Sequence, residues 1–317
     1  VNCHSLSVLP LCAVLKIRHK AKLVYDTHEL ETETANSAGF RKLLAKMTER
    51  VLVPFIDKVV VVNSDIARWY QNHYRLEGKI SIIQNVPYRR NLNLYRSRAF
   101  RDRFGIGDED IIFLYQGVLS AGRGISLLLD VFSQLDKSKH LVMLGYGPLA
   151  GCIQEYEKKR DNIHYHKAVP PGDLNELTSS ADVGLSVIEN ICLSYYLCLP
   201  NKIFEYLNCG LPIIVSGFPG MGGFVDKYRC GWKVDVSRDS IYAIIHSIQW
   251  EAIREKQREV LRINQNFGLQ FEEKTLLKLY RQIGFVATNI ENETSSEITP
   301  PYQSSENRKQ LRRGSGK

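Results

Sequence analysis

No stretch of this 317-residue chain reaches the eighteen or so consecutive apolar residues of a membrane-crossing helix. The most apolar stretches, residues 51–62 and 211–216, are short or broken, the first by Asp57 and Lys58. The opening VNCHSLSVLPLCAVLKIRHK turns basic where a signal peptide would present its cleavage site, so none is expected. The seven cysteines form no C-x-x-C pair and are odd in number, which argues against a disulfide framework or a zinc site. They read as free, mostly buried thiols of a reducing cytoplasm. There is no nucleic-acid-binding motif and no repeat at a fixed period.

What is present is a soluble composition, 44% apolar and 24% charged, with enough length for two domains. The formal charge is +8. Residues 1–90 hold 14 Lys/Arg against 8 Asp/Glu, and YRSRAFRDRFG adds more basic residues. Such a surface suits nucleotide diphosphates, anionic lipid headgroups or nucleic acid. The missing motif ranks nucleic acid last.

Strand-like and helix-like segments alternate almost throughout. AKLVYDTHE, DKVVVVNS and KISIIQNVPYR read as strands, the second a β-branched run buried on both faces. AGFRKLLAKMTERVLVPFI has helical spacing, and SDIARWYQNHY reads as a helix capped by Ser64 or Asp65. Residues 88–109 break the pattern and serve as a connection, with a short helix ended by Gly105. A second series follows: IIFLYQGVLS, KHLVMLGYGPL, NIHYHKAVP and DVGLSVI as strands, with helices between them. SIYAIIHSIQWEAIREKQREV and FEEKTLLKLYRQIGF read as closing helices. The order predicts parallel sheets covered by helices. We divide the chain into a partial first domain (1–87), the connection (88–109), a second domain (110–265), a returning helix (266–288) and a polar, disordered tail (289–317).

Ligands of open parallel sheets bind beyond the carboxyl ends of the strands, so the loops after each strand are the places to look. YQGVLSAGRG offers Gly117, Gly122 and Gly124 for close backbone approach, and Arg123 as a fork of donors for phosphate oxygens. Taken alone it is equally a flexible turn with a solvated arginine. LGYGPLAG, with Gly145 and Gly147, departs from the dinucleotide fingerprint at Pro148 and Ala150. HYHKAVPPGDL, with Val169, could offer backbone groups to a base or be a rigid turn opened by Gly172 or Asp173. His164 and His166 share a side of that strand, and metal binding there lacks a third ligand. In CLPNKIFEYLNCGLPIIVS, Pro200 suits a first helical turn and Asn201 a cap. The helix mouth and Lys202 favour phosphate. Glu205 shares their face and can accept two hydroxyl hydrogen bonds. On its own, the same stretch is also a capped surface helix with an ion pair. In the first half, VYDTHELETE puts His28 after a strand, where it could meet a substrate or be an ordinary loop histidine.

The succession YQGVLSAGRG, LGYGP, HYHKAVPPGDL, ADVGLSVI, LPNKIFEYLNCGLPIIVS and CGWKVD, after LVYDTHELETE, DKVVVVNSDIA and ISIIQNVP, resembles glycosyltransferase family 4 over residues 1–285. The resemblance implies two Rossmann-like domains facing across a cleft, the glycosyltransferase B-type fold, with the first domain incomplete and its N-terminal segment missing. It implies transfer of a sugar from a nucleotide-diphosphate donor to a glycan or lipid-linked acceptor, with retention and no metal or other cofactor, in cell-surface polysaccharide synthesis. By position, Arg123 and Lys202 would hold the diphosphate, with Gly117, Gly122, Gly145, Gly147, Val169, Pro200 and Asn201 lining the donor. Glu205 would take the ribose, and His28 would lie near the donor sugar. The final helix would cross back to the first domain.

Two departures stand out. Val118 replaces one usual cation, with Arg123 in place of the other, usually a lysine. Leu197 occupies the place of the first glutamate of an E-x7-E pattern; Lys202 is the plausible substitute, and Glu189 has the wrong spacing. Two other readings are a nucleotide-sugar 2-epimerase, which shares the fold, and a truncated nucleotide-binding protein without catalysis. The basic, apolar-rich helix GFRKLLAKMTERVLVPFIDK suggests a cytoplasmic protein peripheral on the inner membrane face, or an ordinary core-facing helix.

Overall fold

The computed structural model describes residues 1–35, 37–88, 96–265 and 267–284. The predicted tail, and the part of the connection between 89 and 95, lie outside the described residues.

The first sheet is wholly parallel in the order β1 (Asn2–Cys3), β2 (Val24–Thr27), β3 (Lys58–Val61), β4 (Ile80–Ile82). Its crossovers are α1 (Leu9–His19), α2 (Gly39–Leu52) and α3 (Ser64–Tyr74). Val59, Val60 and Val61 are all buried, as the unbroken β-branched run requires of a strand covered on both faces. The cap of α3 is Asn63, not Ser64 or Asp65. Its side-chain oxygen accepts from the backbone N–H groups of Asp65 and Ile66 at 2.9 and 2.8 Å, because only an extended residue just ahead of the first turn can reach both.

After α4 (Ala99–Phe104), ended by Gly105 in the left-handed region, comes the second unit. In chain order it holds β5 (Ile111–Val118), α5 (Ile125–Phe132), β6 (Lys139–Tyr146), α6 (Ala150–Glu157), β7 (Ile163–Lys167), α7 (Pro171–Thr178) and β8 (Val183–Ser186). There follow α8 (Leu193–Leu197), α9 (Asn201–Asn208), β9 (Ile213–Ser216), α10 (Pro219–Tyr228), β10 (Gly231–Val234), α11 (Arg238–Ser247), α12 (Trp250–Asn264) and α13 (Leu269–Gln282). The strands form one parallel sheet, β10-β9-β8-β5-β6-β7. The direction of winding reverses between β5 and β8.

Several local expectations are corrected. Pro200 is the cap of α9 and Asn201 its first helical residue, the reverse of the order read from the sequence. Pro171, rather than Gly172 or Asp173, opens α7. The long closing helix is two, because Ile248 and Gln249 take extended conformations between α11 and α12. Helices α8 and α10 had no counterpart in the sequence reading. All seven cysteines are free, but only Cys3, Cys12 and Cys230 are buried and Cys152 is exposed. His164 and His166 do share a face, and it is the buried one. His164 stacks on Phe104 with ring centroids 4.5 Å apart and faces His140 Nδ1 at 3.0 Å, while His166 lies against Phe100.

Each sheet has its own core. Tyr25, Tyr70, Leu9 and Val59 belong to the first; the second sheet carries an apolar layer on each face, one around Tyr206 and Ile213, the other around Phe113 and Leu128. Helix α13 returns to the first sheet, where Leu279 packs with Val24 and Val60. The Gln84 N–H donates to Glu272 at 3.1 Å, and the Leu269 N–H to the Pro87 carbonyl at 3.1 Å. On the other side, α8 bridges the units. Leu193 and Leu197 pack on the first core, Asn63 Nδ2 donates to the Leu197 carbonyl at 2.8 Å, and Ser194 Oγ donates to Glu29 at 3.0 Å.

Candidate active site

The winding reversal leaves a crevice beyond the carboxyl ends of β5 and β8, the place where doubly wound sheets hold ligands. Strand β5 arrives there at Gly117, whose φ of +124° suits only glycine. A Cβ on Gly117 would stand 3.7 Å from Lys202 Nζ. Gly145, its neighbour on β6, is needed for packing, since a Cβ there would fall 1.9 Å from the Gly117 carbonyl oxygen. Gly147 turns the chain at the end of β6 beneath Leu119.

Two cations meet at this crevice. Lys202 rises from the first turn of α9, with its Nζ 3.6 Å from the centre of the Tyr115 ring. Among the described residues no hydrogen bond or ion pair reaches that ammonium. Burial, then the charge of Arg123, pushes its pKa down to about 7, against a weaker pull from Glu205. Arg123 lies in the loop after β5, its guanidinium 4.7 Å from the centre of the Tyr195 ring. Its buried Nε has no hydrogen-bond partner among the described residues. A desolvated donor without an acceptor is costly, and two like charges in a low dielectric add to the cost. An anion seated between them relieves both.

The loop carrying Arg123 is pinned from the far side. Glu189 accepts from the Gly124 N–H at 3.2 Å and donates its own N–H to the Gly122 carbonyl at 3.0 Å. Gly122 is buried against Ile191 and Tyr195, where a Cβ would collide. Glu205 points towards the end of β5 and accepts from Gln116 Nε2. Thr178 in turn donates to Gln116 Oε1 at 2.8 Å, and the Gln116 N–H donates to Tyr206 Oη at 2.9 Å. Gln116, Tyr115 and Tyr195 were not singled out by the sequence, and Glu189 was set aside for its spacing, because each acts through a partner distant along the chain. Cys198 is no nucleophile, since burial pushes its thiol up to about 12.

The structure thus gathers Gly117, Gly122, Arg123, Lys202 and Glu205 with Gly145 and Gly147 behind them. Pro200 and the exposed Asn201 form the mouth of α9. Val169 is half-buried in the loop between β7 and α7, joined to none of these by a hydrogen bond or ring contact among the described residues. At the place expected for a glutamate, Leu197 instead packs onto the first core and offers its carbonyl to Asn63.

His28 lies exposed at the carboxyl end of β2, stacked on His4 with centroids 5.8 Å apart. Its neighbour Glu29 holds Ser194, so this loop touches the segment that leads into α9. His4 Nδ1 stands 3.1 Å from Asp26. One ligand-capable atom from each of His4, Asp26 and His28 lies within 4.8 Å of the others. Among the described residues this is the one cluster able to hold a divalent ion.

Two Rossmann-like domains joined by a returning helix, with a site at the winding reversal, make this a glycosyltransferase B-type fold. Residues 96–266 match the family described as glycosyl transferases group 1. The chain belongs to that family. It is 23% identical to a chitobiosyldiphosphodolichol beta-mannosyltransferase of Kluyveromyces lactis over 88% of this chain and 69% of that protein. It is 24% identical to the protein of the same name from Debaryomyces hansenii over 74% of this chain and 55% of that one. The chain therefore spans from about half to two thirds of these relatives' length. Among solved structures, it superposes on HepE of Anabaena in complex with UDP with a TM-score of 0.70 at 15% identity, covering 89% of this chain and 78% of that one.

Proposed function

We propose that the protein transfers a sugar from a nucleoside-diphosphate donor to a lipid-linked glycan. The observation that carries this reading is the pair of uncompensated cations, Arg123 with its orphan Nε and the desolvated Lys202, beside the mouth of α9. As the bond between sugar and phosphate breaks, negative charge grows on the leaving diphosphate. Donors already aimed at it stabilise the transition state more than the ground state. Glu205, oriented by Gln116, takes the ribose hydroxyls. His28 faces the donor sugar from the first domain.

The names of the relatives support a lipid-linked diphosphate acceptor. Seven thiols free of disulfides support a cytoplasmic setting. With two cations to balance the diphosphate, we propose that no metal ion takes part. Full activity in EDTA supports this, and inhibition by EDTA would direct attention to His4, Asp26 and His28.

Thermal-shift titration with UDP, GDP, ADP and their sugars tests donor binding. Stabilisation by one nucleotide series, lost in Arg123→Gln and Lys202→Met, supports the reading. Equal shifts in wild type and both variants overturn it. Release of nucleotide with an epimerised sugar and no acceptor would instead establish the epimerase.

The stereochemistry has two readings. The family resemblance favours retention, with the leaving phosphate deprotonating the acceptor on the same face. The β linkage in the relatives' names favours inversion if the donor is α-linked. The anomeric coupling of the product, read by NMR, decides between them.

A further inference from the structure

Helices α1 and α2 pack side by side on the first domain, and each presents a stripe of large apolar side chains outward. On α2, Phe40, Leu43, Leu44, Met47 and Val51 recur at helical spacing, and each is more than half exposed, Phe40 reaching 77%. The inward face of the same helix is the charged one. Lys42 pairs with Glu33 at 2.7 Å, and Lys46 joins it. Glu49 is fully buried and accepts from Tyr70 and Tyr74 at 2.7 and 2.6 Å. These anchors fix the rotation of α2, so the outward stripe is no accident of side-chain placement.

Helix α1 is apolar on both faces, with Leu9, Cys12 and Ala13 buried against the first core. Lys16 turns inward to the Phe55 carbonyl at 2.6 Å and to Asp57. Leu11, Val14 and Ile17 turn outward, each about 60% exposed. Together the two stripes expose on the order of several hundred Å² of apolar surface, above what an unpartnered soluble face ordinarily shows.

The charge around the stripes selects the occupant. Arg18, Arg41 and Arg50 on these helices, and Lys20 at the end of α1, are exposed. None of the four forms an ion pair among the described residues. Neither helix carries an exposed carboxylate: α1 has no acidic residue, and the one on α2 is the buried Glu49. A protein partner would be met by both signs of charge. A face of large apolar side chains with cations of one sign fits the interface of a bilayer containing anionic lipid.

We propose that the paired faces of α1 and α2 form a membrane-docking surface selective for anionic bilayers. It rests on neither the donor nor the acceptor assigned above, and it can be tested without either. The purified chain is floated with vesicles of phosphatidylcholine, with and without phosphatidylglycerol. The wild type should float with the anionic vesicles and stay down with the neutral ones. Arg41→Glu/Arg50→Glu should lose about fivefold or more in partitioning per residue changed. Leu43→Glu/Met47→Glu should lose nearly all of it, while circular dichroism and thermal midpoint stay at wild-type values, since these side chains support no core. A wild type that remains with the free protein fraction would overturn the proposal. So would flotation indifferent to both variants, or a self-associated chain that Leu43→Glu/Met47→Glu disperses without any vesicle binding.

Discussion

Lys202 should make donor binding depend on pH in a window that can be calculated. Burial and Arg123 hold its ammonium near pKa 7 in the free protein, against about 10.4 for an unperturbed lysine. A bound diphosphate supplies negative charge beside it and raises that value again. Binding therefore takes up a proton, and affinity follows the protonated fraction of the free protein. Between pH 6 and pH 8 that fraction falls about tenfold, and the dissociation constant of a nucleotide sugar should rise about tenfold with it. A nucleotide sugar is the right probe, because its diester diphosphate does not titrate in this range. Isothermal titration with UDP-glucose and GDP-mannose, in two buffers of different ionisation heat, measures affinity and proton uptake together. Lys202→Met should bind more weakly and show no uptake. The stability of the ligand-free protein moves the other way. From about pH 7 to about 10.4 the unfolded chain binds the extra proton, so this lysine destabilises fully below the window and less as pH rises through it. A dissociation constant flat from pH 6 to 8, or the same slope in Lys202→Met, would refute the assignment of Lys202 as a desolvated anion contact.

Three further outcomes follow from the geometry. Asp182, nearly fully buried, accepts from Arg96 at 2.7 Å, from Arg101 at 2.9 Å and from the Ile112 N–H at 2.8 Å; Asp182→Ala should cost about 3–5 kcal/mol in urea unfolding, and a change under about 1 kcal/mol would sink that reading. Gly145→Ala places a methyl group against the Gly117 carbonyl, so it should lower the thermal midpoint and weaken nucleotide binding together, whereas Gly151→Ala, with open space around it, should do neither. His164 is held neutral by burial down to about pH 4. Its ordinary pKa of about 6.5 makes the unfolded state take the proton first, so stability should fall as pH drops from about 6.5 towards 4, and His164→Phe should flatten that part of a pH-stability curve.

The strands were legible because each leaves a local mark: the valine run of β3, the apolar run of β5 into Gly117, the proline at 212 just before β9. The helix mouths at α7 and α9 were found to within a residue or two, but proline fixes the backbone just outside the helix as readily as inside it, and only the folded backbone distinguishes cap from first turn. Helix α8 escaped notice because a five-residue helix has too few turns to show periodicity. Its two leucines are apolar for the sake of the other domain. The same limit applied to α2. Spacing reveals that a helix has an apolar face and says nothing of which side the protein covers. There, the inward choice was decided by Glu33 and by Tyr70 and Tyr74 on the next helix. At the candidate site, Arg123, Lys202 and Glu205 stood out by residue type and loop position. Gln116, which orients the carboxylate, and the role of Glu189, set aside by its spacing yet holding the loop in place, became visible only when the strands were laid side by side.

The bridge made by α8 has a mechanical consequence. Its leucines and the Leu197 carbonyl are gripped by the first domain, yet the chain runs from Leu197 through Cys198 and Leu199 straight into Pro200 and Lys202. Any hinge motion that separates the domains must either peel α8 from the first core or drag on the entrance of α9. At the proposed donor site, the grip on a nucleotide would thus be geared to the distance between the two halves, and a crosslink locking Asn63 to α8 would hold that gear in one position.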